Sequence, residues 1–415
     1  MATDLTLQEH QQLVQRSANE LFRKRSTSGA VRDIEAGGTG YQSELWREMA
    51  GLGWHGITFP EAYGGTGGSF LDLYPIYEEM GRFLVASPHL DTVAVAGDVI
   101  LQAGTQAQRE TMLPAIAGGR SIISLAALEA DGAFGPRSVT VPAERRSNGF
   151  TITGTKLLVA NAQSADWFLV PLRTSGTTTG GNGGLGAGRA TAEHGISVLL
   201  VDAHSPGITW SPMRNIAGQP LHAVTFDDVL VPDDGLVGRL DGGWAALSSA
   251  ATKAAVLQTA TIVGAARRVL DMTNQYAKDR QQFGSPIGRF QAVQYLVTDI
   301  LIDLHRADLL ARQAAFRIDA GKTFERQAAI AVAFGKRAAA HLHRQAHEVH
   351  AGVASCSSTT SRCTPDERST GRTTSATPGI TRTSSSTPWA SDSQRSPPQD
   401  PRRRPADHAE GAVST

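Results

Sequence analysis

Residues Tyr276–Gln291 read YAKDRQQFGSPIGRFQ. The helix before them is rich in alanine and carries Ala260, Gly264 and Ala265 at near-helical spacing, small residues suited to close packing. Arg280, Gln281 and Gln282 lead into Phe283-Gly284, and Pro286 is expected to break the helix. Phe290-Gln291 then opens a second long amphipathic helix, with Val293, Leu296, Val297, Ile300, Leu301 and Leu304 on its apolar side. A sharp turn between two helices, with a cation, an aromatic and an amide at its corner, suits a helical bundle that grips an anionic, planar ligand. The same spacing equally fits a plain bundle corner with a solvent-facing arginine.

The rest of the chain narrows the choice. At 415 residues it has room for two or three domains, and 40% apolar residues supply ample core. Lys+Arg and Asp+Glu balance at 39 each, which argues against nucleic acid or an anionic membrane as a partner. No apolar run of about 20 residues suggests a membrane span. The N-terminus, MATDLTLQEHQQLVQR, is polar and helical rather than a signal peptide, so a cytoplasmic protein is expected. Both cysteines, Cys356 and Cys363, lie in the tail, which removes a disulfide framework or cysteine-based metal site from the globular part.

Residues 1–118 read as helical. Leu7–Phe22 is amphipathic, and Ser43 is placed to N-cap Glu44–Leu52, ended by Gly53. Pro60-Glu61-Ala62-Tyr63-Gly64-Gly65 is a turn before a helix from Leu71, and Pro88–Leu101 is a helix carrying the small residues Ala94, Ala96 and Gly97. Over 119–238 the period changes to short β-type runs: Ser121–Ala127, Phe150–Ile152, Thr155–Ala160, Asp166–Leu172, Gly195–Val201, Thr209–Met213 and Ala223–Leu230. A small antiparallel barrel or sandwich follows. Ser175–Arg189 (SGTTTGGNGGLGAGR) lacks any phosphate-loop pattern and reads as a flexible hairpin insertion. Helices return over 239–352. There His343, His347 and His350 share a helix face, but HEVH is one residue short of H-E-x-x-H, and no metal site is assigned. From 353 on, serine, threonine, proline and arginine dominate and periodicity vanishes, as in a disordered tail.

RQQFGSPIGRFQ resembles the R-x-x-F-G-x-P-I-x-x-x-Q signature of the acyl-CoA dehydrogenase family. Three further blocks resemble the family in the same order. They are LGWHGITFPEAYGGTG with Glu78–Arg82, Gly104–Gly119, and FDDVLVPDDGLVG, so the likeness covers about residues 5–352. It implies an α+β architecture: N-terminal helical domain, middle antiparallel β-barrel, C-terminal helical bundle. It implies FAD as cofactor, with Arg280, Phe283, Gly284 and Gln291 forming the corner that contacts a neighbouring subunit's FAD. An arginine fork suits a pyrophosphate and an aromatic suits a flavin or adenine face. The helix Pro88–Leu101 corresponds to one that lines the family's acyl pocket. The implied activity is α,β-dehydrogenation of an acyl-CoA thioester in fatty acid or lipid catabolism. An electron-transfer flavoprotein is the implied partner, in a homo- or hetero-oligomer.

Departures from the family pattern bear on that activity. Leu128 and Ala160 stand where hydroxyls would hydrogen-bond the flavin, and Leu158 stands where an aromatic would stack on it. Each lost hydrogen bond is worth ~1 kcal/mol. Glu348 and Gly352 occupy the family's Q-x-x-G-G segment near the adenine-side phosphates, where an ionised glutamate is unfavourable. One family position for the catalytic glutamate falls on Ala254, beside Lys253, and the other falls in the tail, so the catalytic residue is not identified. Glu78, Glu79 and Glu129 are expected to be surface or structural groups. Since the family continues past Val353 as helix, the tail reads as out of frame. Two alternatives stand beside the dehydrogenase: a non-catalytic subunit of a heteromeric dehydrogenase, and a flavin monooxygenase or oxidase on the same fold.

Overall fold

A computed structural model describes residues 5–37, 40–176, 193–215 and 219–351. The glycine-rich insertion from 177 onward, Gly352 and the tail therefore lie outside the described residues.

The first part is helical: α1 (Glu9–Arg25), α2 (Ser28–Gly37), α3 (Ser43–Gly51) and α4 (Phe70–Arg82), a π-helical segment (Leu90–Gly97), then α5 (Asp98–Ala103) and α6 (Gln106–Ala117). Ser43 is not the cap of α3 as expected. Gln42 is, in extended backbone, and Ser43 is the first helical residue. α4 begins at a reciprocal capping box in which Ser69 and Asp72 satisfy each other's backbone N–H groups. The helix expected over Pro88–Leu101 is thus split, its first eight residues π-helical, a rare geometry found mostly at functional positions.

Two four-stranded sheets follow. One has the order β1 (Ile123–Leu125), β4 (Trp167–Arg173), β5 (Ile196–Asp202), β8 (Leu236–Val237). The other runs β2 (Ala143–Arg146), β3 (Gly149–Ala160), β7 (Leu221–Pro232), β6 (Ile208–Met213). Pairing is antiparallel except between β1 and β4, which run parallel. The runs at Phe150–Ile152 and Thr155–Ala160 are one strand, with register shifts at Ile152/Gly154 and Lys156/Val159. β2 was not foreseen because AERR has no apolar alternation, and β8 because two residues carry no period.

Side chains from both sheets close a core around Phe150, Ile152, Phe168, Val170, Leu199 and Phe226. Alternate residues of β4 and β5, including Leu169, Val198 and Leu200, turn the other way into the helical core. The first sheet is therefore covered on both faces and reads as an unbroken apolar run, while the second keeps an open face bearing Thr155 and Thr225.

Three long helices complete the fold: α7 (Trp244–Asp279), α8 (Gln291–Asp319) and α9 (Glu325–His350). α7 crosses α4 with almost no gap. A Cβ on Gly264 would stand 1.6 Å from the Glu78 carbonyl oxygen, and one on Gly81 1.9 Å from that of Thr261. This contact explains the small residues noted along α7. Glu78, Arg267, Asp308, Arg312 and Tyr74 form a polar network between α4, α7 and α8. Arg267 lies 2.6 Å from Glu78 and 2.7 Å from Asp308, and the Tyr74 hydroxyl donates to Asp308 at 2.7 Å.

Candidate active site

The corner at Tyr276–Gln291 is sharper than its sequence suggested. α7 stops at Asp279, well before Pro286, with Arg280 in extended backbone as its C-cap. Gln281–Gln282 and Ser285–Pro286 pair as a minimal hairpin, strands β9 and β10. At its tip Phe283 (φ 53°) and Gly284 (φ 75°) both take left-handed backbone, the requirement of a two-residue type I′ turn. The turn throws the Phe283 ring outward, 91% exposed, with Phe290 edge-on to it at 6.0 Å. Arg280 and Gln291 are exposed on the same corner, and Gln291 donates to the Tyr295 hydroxyl at 2.7 Å. On α8, Ile300 and Leu304 are buried as expected, whereas Leu301 is exposed.

Leu128, Leu158 and Ala160 form a second group. An antiparallel bridge joins Leu128 to Leu157, and Leu157 N–H donates to the Leu128 carbonyl at 2.8 Å. Leu158 sits in the β3 bulge with φ 56°, a conformation costly for a branched-chain residue. Leu128 is buried, and Leu158 and Ala160 are half-buried. Beneath this wall lies an ion pair: Lys156 Nζ donates to Glu129 at 2.7 Å and to the Pro171 carbonyl at 2.8 Å. Glu129 also accepts from the backbone N–H groups of Thr140 and Val141 at 3.0–3.2 Å. Burial opposes both charges, and the Lys156 ammonium with these donors holds the Glu129 carboxyl below its usual range.

The two groups do not meet within one chain. The loop after Leu128 touches the start of α7, where the rings of Phe134 and Trp244 lie 5.2 Å apart. The Arg280 corner lies at the other end of that 36-residue helix, about 54 Å away at 1.5 Å per residue. Glu348 is exposed on the last turn of α9. The three histidines do not converge: His343 and His347 lie ring to ring at 4.0 Å, while His350 stacks on Tyr276 at 4.4 Å. Among the described residues no three metal-ligating side chains cluster.

The glutamates considered for catalysis are all buried, which corrects the surface reading in favour of the structural one. Glu78 pairs with two arginines, Glu79 accepts from Asn19 at 2.7 Å, and Glu129 is held as above. Ala254 is fully buried. Beside it, Lys253 pairs with Asp98 at 2.9 Å. A fifth acid, Asp91 on the π-helical segment, was not considered from sequence. It is 4% exposed, and its Oδ1 has no hydrogen-bond partner. Burial raises its pKa to about 7. Only its burial without a charged partner distinguishes it, and no sequence pattern announces that.

The corner residues and the wall can be set against FAD. The corner offers an exposed guanidinium, a free aromatic face and an amide, which fit a pyrophosphate and an aromatic ring. The wall offers apolar surface from Leu128, Leu158 and Ala160. Next to it the buried Asn161 Oδ1 lacks a partner and could take a hydrogen bond from a ring N–H. The donor set therefore fits, with less side-chain hydrogen bonding than hydroxyls and an indole would supply.

Known proteins match this arrangement along its length. Profiles described as acyl-CoA dehydrogenase N-terminal, middle and C-terminal domains match residues 8–120, 124–229 and 241–364. The last match runs past Gly352 into the segment read as out of frame. A probable acyl-CoA dehydrogenase, YngJ of Bacillus subtilis, is 27% identical over 351 residues, 83% of this chain and 89% of its own. The ChsE4-ChsE5 complex from Mycobacterium tuberculosis contains a chain 25% identical with a TM-score of 0.78, over 92% of this chain and 96% of its own. Butyryl-CoA dehydrogenase from Megasphaera elsdenii shares the fold, with a TM-score of 0.79 at 24% identity over 88% and 94% of the two chains. With helical, β and helical parts each matched in turn, and the arginine–phenylalanine corner at its place between the last long helices, this chain belongs to the acyl-CoA dehydrogenase family.

Proposed function

We propose that this chain is a FAD-dependent subunit acting on an acyl-CoA thioester, and that its cofactor site is completed by a second subunit. The observation that carries the reading is the separation of the two residue groups along α7. The Arg280, Phe283, Gly284 and Gln291 corner is too far from the Leu128, Leu158 and Ala160 wall to hold one cofactor with it. A neighbouring chain, identical or related, brings a corner to each wall. Arg280 would then hold the cofactor's pyrophosphate, Phe283 would cover one of its rings, and Asn161 would offer an acceptor to a ring N–H. Bound flavin supplies the acceptor for the substrate's β-hydride. The acyl chain is assigned to the π-helical segment by its likeness to the helix that lines the family's acyl pocket.

The buried Ala254 and the engaged Glu78, Glu79 and Glu129 favour a second reading, that of a stabilising subunit whose partner supplies the base. One experiment separates the two. The full chain is purified, its flavin content is read by absorbance, and FAD and acyl-CoA thioesters are added with an artificial electron acceptor or with oxygen alone. Acceptor reduction by the isolated chain supports the working dehydrogenase, and turnover only with oxygen supports an oxidase. FAD uptake without turnover supports the stabilising subunit, with electron delivery to an electron-transfer flavoprotein restored by the partner. Failure to take up FAD under any condition overturns the proposal.

A further inference from the structure

One side of α8 packs into the bundle and the other does not. Ile300, Leu304 and Ala307 join Val263 of α7 and Leu342 of α9 in one apolar cluster. On the far side Tyr295, Ile302 and Leu309 are 61%, 41% and 55% exposed, and no described residue covers them. They recur every seven residues, which at 3.6 residues per turn keeps them within about 40° of one another around the helix. An apolar seam with this repeat, along about 21 Å of helix, matches the packing face of a second helix.

The seam is symmetric about Ile302. Tyr295 and Leu309 stand seven residues to either side of it, and the exposed Gln291 and Gln313 eleven residues to either side. Asp299 and Arg306 lie along one flank and are exposed as well. Asp299 forms no ion pair among the described residues, and Arg306 reaches only Asp303, at 3.8 Å.

We propose that α8 packs antiparallel against α8 of a second, identical chain, about a twofold axis at Ile302. That axis sets Ile302 against itself, Tyr295 against the partner's Leu309 and Gln291 against the partner's Gln313. It also brings Asp299 beside the partner's Arg306, and the reverse pair forms by symmetry. A parallel pairing keeps Asp299 and the partner's Arg306 about 10 Å apart along the axis, seven residues at 1.5 Å each, and forms neither pair. A pattern that reads alike in both directions from one residue is the self-complementarity of an isologous contact, which singles out a second copy as the occupant. Gln291 belongs to the Arg280 corner, so the seam continues from that surface. The inference goes beyond the cofactor reading, since no flavin or substrate contact enters it.

The test uses the full chain without added FAD, in sedimentation velocity over a concentration series, with folding checked by thermal unfolding. Asp299→Arg and Arg306→Asp each set like charges across the seam twice. Each is expected to weaken self-association about tenfold or more. An equal mixture of the two variants is expected to recover the parent's association, because the mixed dimer has opposite charges at both places. Should either variant fail to fold, Ile302→Lys, which sets two ammonium groups together at the axis, is expected to dissociate the dimer. A monomeric parent overturns the proposal, as does association that no substitution weakens, or a mixture no tighter than the variants alone. A monomeric parent that takes up FAD only with a related subunit overturns this proposal and leaves the cofactor reading standing. Recovery on mixing, in a chain that never takes up FAD, supports the seam and overturns the cofactor reading alone.

Discussion

Asp91 and His55 show how single buried groups set the pH response. His55 is fully buried against Trp46, ring centroids 3.7 Å apart, and burial, aided by the neighbouring His89, drives its pKa from 6.5 down to about 2. Protons therefore bind the unfolded chain in preference. The stability this site contributes is whole above about pH 6.5 and is lost as pH falls toward 2. His55→Phe keeps the stack and removes the titration. The fall in melting temperature between pH 8 and pH 5 is expected to be smaller in this variant, and an unchanged fall would show that His55 titrates normally.

Asp91 has the opposite sign. Its folded pKa is raised from 3.8 to about 7, so stability present below about pH 4 is lost as pH rises through 7. Asp91→Asn is expected to stabilise the protein by a few kcal/mol at pH 8 and by much less at pH 4. Equal gains at both values in urea titrations would contradict the assignment. Nothing in the local sequence HLDTVAVAG separates this aspartate from a surface one, because what raises its pKa is the packing around it.

At the scale of elements, the α4–α7 crossing depends on two glycines. Gly264→Ala would drive a methyl into the Glu78 carbonyl, so the helices must part and the Glu78–Arg267–Asp308 network with them. A loss above ~4 kcal/mol, or insoluble protein, is expected, and a variant that melts within a few degrees of the parent would refute the close contact. The β-structure has a comparable point in Lys156. Lys156→Met leaves Glu129 buried without its cation, a change expected to cost ~3–5 kcal/mol. Lys156→Met combined with Glu129→Gln is expected to recover at least half of that in chemical denaturation. The small residues of α7 were legible as packing residues, since their spacing follows the helix. The Lys156–Glu129 pair was not, since the two residues lie 27 positions apart and meet only through the bridge between Leu128 and Leu157.

For the whole molecule, the exposed corner is the decisive surface. Phe283, Phe290, Tyr295, Leu301 and Ile302 present apolar area on the hairpin and on α8 that no described residue covers. Phe283→Asp is expected to weaken self-association, or association with a related subunit, by tenfold or more in sedimentation velocity, and to lower FAD retention in parallel. An unchanged sedimentation profile would place the interface elsewhere. No described helix is long and apolar enough to cross a membrane.

By itself, the sequence determined the order of helical, β and helical parts and the family, because periodicity and the R-Q-Q-F-G-S-P-I block are local properties of consecutive residues. It also exposed the missing hydroxyls at Leu128 and Ala160 and the absent glutamate at Ala254. Only the tertiary structure decided that Pro286 does not end the helix, because the type I′ turn at Phe283-Gly284 had already reversed the chain. It alone decided that Glu78, Glu79 and Glu129 are structural and that Asp91 stands unpaired. A carboxylate's state depends on which donors and cations reach it, and those come from segments far apart in the chain.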